Sequence, residues 1–274
     1  MPLQEKNIAN IVLTLVYVAL VLWWVLMFLN GNSNESHNYM FAISFAIVPL
    51  LGGIFGFANS AKWGMLKSSL GKGLFFISLG LITWALGQII FSYYNIFLNV
   101  EIPYPSVADA SFILSWPLWG IGVFHLSRAT GARYGLKSGA GKAILVLFPI
   151  LIAVLSYYLL VVVARGGQFD FAGSSGLKVF FDLAYPIGDV VILTIATVIY
   201  GLSHDHLGGR FKTPIYLLLA GFILNYVADF SFSYTTTLGS FFSANWVDLL
   251  FMTAMFILGR SIVLIRPPVV SAAK

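Results

Sequence analysis

The feature that most constrains this chain is a series of eight apolar runs, roughly 9–30, 40–59, 73–95, 106–127, 142–164, 183–202, 214–236 and 246–266. Each is close to the ~20 residues that cross a bilayer core at a helical rise of ~1.5 Å per residue. In hydrocarbon only helices and closed barrels satisfy their backbone groups. Barrel strands are about 10 residues of alternating polarity, and these runs are longer and do not alternate. With 59% hydrophobic and 9% charged residues, the chain cannot cover a globular surface with polar groups. An all-α polytopic membrane protein with eight transmembrane helices is expected.

The charges set the orientation. Arg165 and Lys178 are the exceptions among 15 Lys and Arg; the others fall in alternate loops or at the ends. Lys62, Lys67 and Lys72 follow the second run, Arg128, Arg133, Lys137 and Lys142 the fourth, and Arg210 and Lys212 the sixth. Cytoplasmic loops collect such residues, so both termini are expected in the cytoplasm. The net charge of +5 is therefore a topology signal, and nucleic acid is not an expected partner. The first run is too long for a signal-peptide core, and the "NGNSNES" after it offers no small-x-small cleavage site. It reads as a retained helix. Without cysteine, disulfides, thiolate metal sites and cysteine nucleophiles are excluded.

The two halves look duplicated. "GLITWALGQIIFSYYN" (80–95) aligns without gaps on "GFILNYVADFSFSYTT" (221–236), placing Gly80 on Gly221 and Gln88 on Asp229. Further on, Asp109 falls on Asp248, Phe112 on Phe251 and Gly120 on Gly259. Two four-helix repeats are expected, 1–130 and 131–274. An even helix number keeps them parallel, about an axis along the membrane normal.

"PYPSVADASFILSWPLWGIG", "DLAYPIGDVVIL" and "NWVDLLFMTAMFILG" resemble the multi-helix membrane modules at the N-terminus of bacterial GGDEF/EAL cyclic-di-GMP signalling proteins. The resemblance spans roughly 75–265. It implies a sensory or ligand-binding module in the cytoplasmic membrane of a prokaryote, and carries no established ligand. GGDEF and EAL sequences are absent, and no output domain is expected after the last helix.

The buried polar residues divide into two kinds. In "PSVAD", Ser106 is placed to be an N-cap with Asp109 at N3, and Asn245 and Asp248 repeat the pattern in "NWVD". These four are expected to close helix ends. Capping cannot explain Asp189 or Asp229, which fall well inside runs six and seven, at similar depths in the outer half of the membrane. An aspartate near the bilayer centre costs ~2.5–3.5 kcal/mol on insertion scales and usually marks a site. Gln88, Tyr93, Tyr185 and Tyr234 lie nearby in depth. Spacing by four puts Asn225 on the face of Asp229, and Trp84 on that of Gln88. A polar chamber built from Asp189, Asp229, Gln88, Asn225, Tyr93, Tyr234, Tyr185 and Trp84 is one reading; interhelical hydrogen bonding as glue is the other.

"HDH" (204–206) reads as a solvated turn rather than a metal site. His125, alone near a membrane run, cannot make a bis-histidine haem. No Walker, G-x-S-x-G or H-E-x-x-H motif is present. No enzymatic activity, cofactor or metal is expected. The expected partners are membrane lipid, a small-molecule ligand and a separate cytoplasmic or membrane signalling protein. A small secondary transporter and a membrane-embedded lipid hydrolase stand as alternatives.

Overall fold

A computed structural model describes residues 8–31, 35–100, 104–129, 139–163, 166–167, 176–203 and 211–267. These are mostly helical, with no strand among them. In chain order the helices are α1 (Ile8–Leu29), α2 (Glu35–Phe45), α3 (Ile47–Lys62), α4 (Ser69–Leu98), α5 (Val107–Ala129), α6 (Gly139–Ser156), α7 (Gly176–Ser203), α8 (Lys212–Thr237) and α9 (Trp246–Leu264). A 3₁₀ turn, Met65–Lys67, precedes α4, and a π-helical stretch, Tyr157–Val163, prolongs α6.

Seven helical segments among the described residues are long and apolar enough to cross a membrane: Ile8–Leu29, Glu35–Lys62, Ser69–Leu98, Val107–Ala129, Val146–Val163, Lys212–Thr237 and Trp246–Leu264. The expected sixth run falls in α7, whose described apolar stretch, Ile187–Thr197, is shorter than a span. Lipid explains what the outer helices expose. Leu15, Leu22 and Leu26 of α1 and Leu147, Ile150 and Leu151 of α6 are all exposed. Contiguous apolar surface of this extent is not left to water. The histidines of the "HDH" turn, His204 and His206, lie outside the described residues, as do Arg133, Lys137, Arg165 and Arg210.

The second run is one span in two helices. Pro49 has no N–H to donate, so the backbone loses a rung there and bends. The Ala46 N–H turns to Ile43 O at 3.3 Å. That leaves Ala42 O without its usual partner four residues on. Gln88 Nε2 of α4 donates to it at 3.1 Å.

Two hairpins, α4–α5 and α8–α9, supply the most extensive packing. α3 crosses α9 where Gly52 meets Gly259. A Cβ on Gly52 would lie 2.9 Å from Gly259 Cα, so the backbones themselves touch. The crossing is locked at the C-terminal end of α9. Asn59 Nδ2 donates to Ile262 O and Ile265 O at 2.7 and 2.6 Å, and Trp63 Nε1 to Ile265 O at 2.9 Å. These donors satisfy carbonyls that the end of α9 would otherwise leave unpaired. At the other end of α9, Trp24 Nε1 of α1 donates to Ala244 O at 2.9 Å. In the middle, Tyr17 stacks on Phe256 with centroids 4.0 Å apart. On the far side of the molecule, α7 packs between α5, α6 and α8.

Candidate functional site

The site forms where α5, α7 and α8 meet. On α7, Tyr185 and Asp189 are four residues apart, and on α8 Asn225 and Asp229 share the same spacing, so each pair lies on one helical face. α7 and α8 pack so that these faces meet. Asp189 and Asp229 hydrogen-bond to each other through their carboxyl groups. Such a bond has a donor only when one of the two acids carries a hydrogen. Asn225 Nδ2 donates to Asp229 Oδ2 at 2.7 Å. Asp189 and Asn225 are buried, at 5% and 4% exposure, and Asp229 is partly buried. Asn225 Oδ1 is fully enclosed and meets no donor among the described residues.

The cluster extends to α5. Tyr185 OH donates to Asp109 Oδ1 at 2.7 Å. The other Asp109 oxygen accepts the Ser106 backbone N–H at 2.7 Å, and Ser106 Oγ accepts the Ala108 N–H at 3.2 Å. Asp109 therefore closes the first turn of α5 and receives a hydroxyl from α7. An aromatic wall stands beside this bridge. Trp116 of α5 meets the Tyr185 ring edge to face, with centroids 5.2 Å apart at 86°. The indole reaches that position because residue 188 is glycine: a Cβ there would lie 2.0 Å from Trp116 Cε3. Tyr104 and Phe181 flank the same side, with Tyr104 6.5 Å from Tyr185 and 6.4 Å from Phe181.

The equivalent position on α9 is built differently. Asn245 Oδ1 accepts the Val247 N–H at 2.8 Å, and Asp248 Oδ2 accepts the Ala244 N–H at 2.6 Å. Both contacts are to backbone. Ala244 is fully buried and has a φ of 67°, a conformation few residues with a Cβ adopt. Asp248 holds that turn in place.

The remaining residues of the expected chamber lie elsewhere. Gln88 is buried and spent on the Ala42 carbonyl, joining α4 to α2. Trp84 is core, packed with Phe45, Phe112 and Phe251 at centroid distances of 6.1, 5.3 and 5.7 Å. Tyr93 is half exposed beside Phe97. Tyr234 is exposed and stacks on Phe230 of its own helix. Of the expected ligand group, the structure brings together Asp189, Asp229, Asn225 and Tyr185. It adds Asp109, which the capping motif alone had explained. The four-residue spacing of Tyr185 and Asp189 was the available signal for that link. No family model, curated protein or solved structure matches the chain.

Proposed function

We propose that this chain is a membrane sensory or ligand-binding module. It binds its ligand at the α5–α7–α8 cluster, in the outer half of the bilayer, and signals through a separate partner protein. The observation that carries this reading is the meeting of Asp189 and Asp229. Two acids from two helices face each other in the apolar interior with no helix end to close. Pure glue calls for no second acid, since a serine or asparagine bonds across helices without the cost of burying a carboxyl group. A buried amide oxygen without a donor stands beside them.

The surrounding architecture is proposed as eight spans in two parallel repeats, with both termini cytoplasmic. Several contacts support the repeat. A Cβ on Gly80 would strike Trp119, and one on Gly221 would strike Leu258, the residue aligned with Trp119. The Ser106–Ala108 cap contact has its counterpart in Asn245–Val247. α3 packs on α9 as α7 packs on α5. With this topology, cysteines placed at Asn99 and Gly239 are expected to react with an impermeant thiol reagent from outside intact cells, and one at Ser138 is not. The reverse pattern overturns the orientation.

Function is tested with purified full-length protein in proteoliposomes, using a radiolabelled panel of cationic, neutral and anionic small molecules. Saturable binding without flux is expected, and it should be lost in Asp189→Asn/Asp229→Asn. Accumulation inside the vesicles would instead identify a transporter. Binding unchanged in the double variant would place the site elsewhere.

A further inference from the structure

We infer that the Asp189–Asp229 pair binds a singly charged cation, an alkali ion or the ammonium group of an organic ligand. This rests on the ligand-binding reading above and specifies its chemistry.

The argument begins with hydrogen-bonding capacity. Two carboxyl groups and the Asn225 amide oxygen converge where α7 meets α8. The hydrogens facing them are the Asn225 amide, donated to Asp229 at 2.7 Å, and the hydrogen that joins the two acids. Oxygens exceed hydrogens, and Asn225 Oδ1 is enclosed without a donor although its residue is 4% exposed. A ligand that brings acceptors, such as a carboxylate or phosphate, meets two acids and, among the described residues, a single neutral donor without a partner, the buried Tyr226 O–H that follows Asn225 on α8. One that brings positive charge or N–H groups completes the set.

Charge sets the valence. Two acids sharing one hydrogen carry a single negative charge. In a medium that penalises net charge, the matching occupant carries a single positive one. A divalent ion generally takes six or more oxygens, with several carboxylates or waters among them. Among the described residues no group of three His, Asp or Glu side chains is placed to hold a metal ion. The aromatic wall of Trp116 and Tyr185 beside the cluster suits an organic ammonium, whose charge is attracted to ring faces.

The test uses the purified full-length protein in detergent, at constant ionic strength, with tetraethylammonium as the balancing cation because it has no N–H and is too bulky to seat between paired carboxyls. Sodium chloride and methylammonium chloride are titrated separately while the thermal midpoint and tryptophan fluorescence are followed. A saturable rise of the midpoint with either cation is expected. It should be abolished in Asp189→Asn/Asp229→Asn, which keeps the hydrogen-bonding shape and removes the charge, and kept in Gln88→Leu, which lies outside the cluster. A response to sodium alone identifies an alkali-ion site, and one to methylammonium alone an amine site. If neither cation shifts the wild-type protein, or both shift the double variant equally, the cation assignment is overturned. Should a neutral or anionic member of the panel then bind in a manner that depends on Asp189 and Asp229, the ligand-binding reading stands and only its chemistry changes. Should nothing bind, both fail.

Discussion

Asp109 and Asp248 occupy the same place in the two halves of the sequence, and the structure uses them differently. Each sits in the first turn of a helix, three residues after a Ser or Asn that accepts from the residue two further on. At Asp248 the carboxylate is consumed by backbone, through the buried N–H of Ala244. At Asp109 one oxygen caps and the other receives Tyr185 from α7. The same short motif thus supports a fixed turn at the start of α9 and a bridge to the candidate site at the start of α5. The neighbours account for the difference. The start of α9 is covered by α1, whose Trp24 donates to Ala244 O and Asn245 O at 2.9 and 3.2 Å. The start of α5 instead faces α7, which brings a phenol with a hydrogen to give.

The largest effect expected from this contrast is on stability, at Asp248. Asp248→Ala removes the carboxyl acceptor of the Ala244 N–H in a fully buried turn with positive φ. Removing the acceptor of a buried donor costs about 1–3 kcal/mol. The thermal midpoint in detergent should fall clearly, with ligand affinity per folded molecule unchanged. Loss of binding without loss of stability would mean that Asp248 also serves a site, and the contrast between the two caps would collapse.

Asp109→Ala comes next. It removes the acceptor of Ser106 N–H and of Tyr185 OH together. Ser106 is only partly buried, so its freed donor can recruit a polar partner, and a loss of about 1–2 kcal/mol is expected. Here binding should fall as well, because Tyr185 is released beside Asp229. Equal stability losses in the two alanine variants, with neither changing binding, would make both aspartates plain caps.

Much of this was legible in the sequence, and what was not has a geometric reason. Run lengths located seven helical segments long and apolar enough to cross a membrane, while the sixth run gave a shorter apolar stretch among the described residues, and Ser106 and Asn245 announced their caps through spacing alone. Depth along each helix placed Asp189 level with Asp229, because rise per residue is nearly constant. Rotation about the axis was harder. Gln88 matches Asp229 in the alignment and in depth, yet it turns to a carbonyl exposed by the bend before Pro49. Tyr93 and Tyr234 have suitable depth but point away from the cluster, toward the lipid-facing surface. Which face a helix presents depends on all its neighbours at once, and no single run encodes that. The Tyr185–Asp109 bridge was hidden for the same reason, since a residue already explained as a cap gave no cause to seek a second partner.

The smallest and most discriminating change is Tyr185→Phe. It deletes one hydroxyl and keeps the ring that packs against Trp116. Asp109 retains the Ser106 N–H, so α5 should begin at the same residue and the cap should survive. A stability loss of about 1 kcal/mol is expected, the net value of one such hydrogen bond. If Tyr185 ties the cap to the site, this variant weakens ligand binding while barely moving the thermal midpoint. A double-mutant cycle with Asp109→Asn then reports whether the effect runs through the bridge, because residues in contact show non-additive energies and distant ones do not. Non-additivity in binding between positions 185 and 109, with strict additivity between 185 and 248, is the expected result. Additivity in both cycles would show that Tyr185 acts on the acids of α7 and α8 alone, and that Asp109, despite its second hydrogen bond, is a cap like its counterpart on α9.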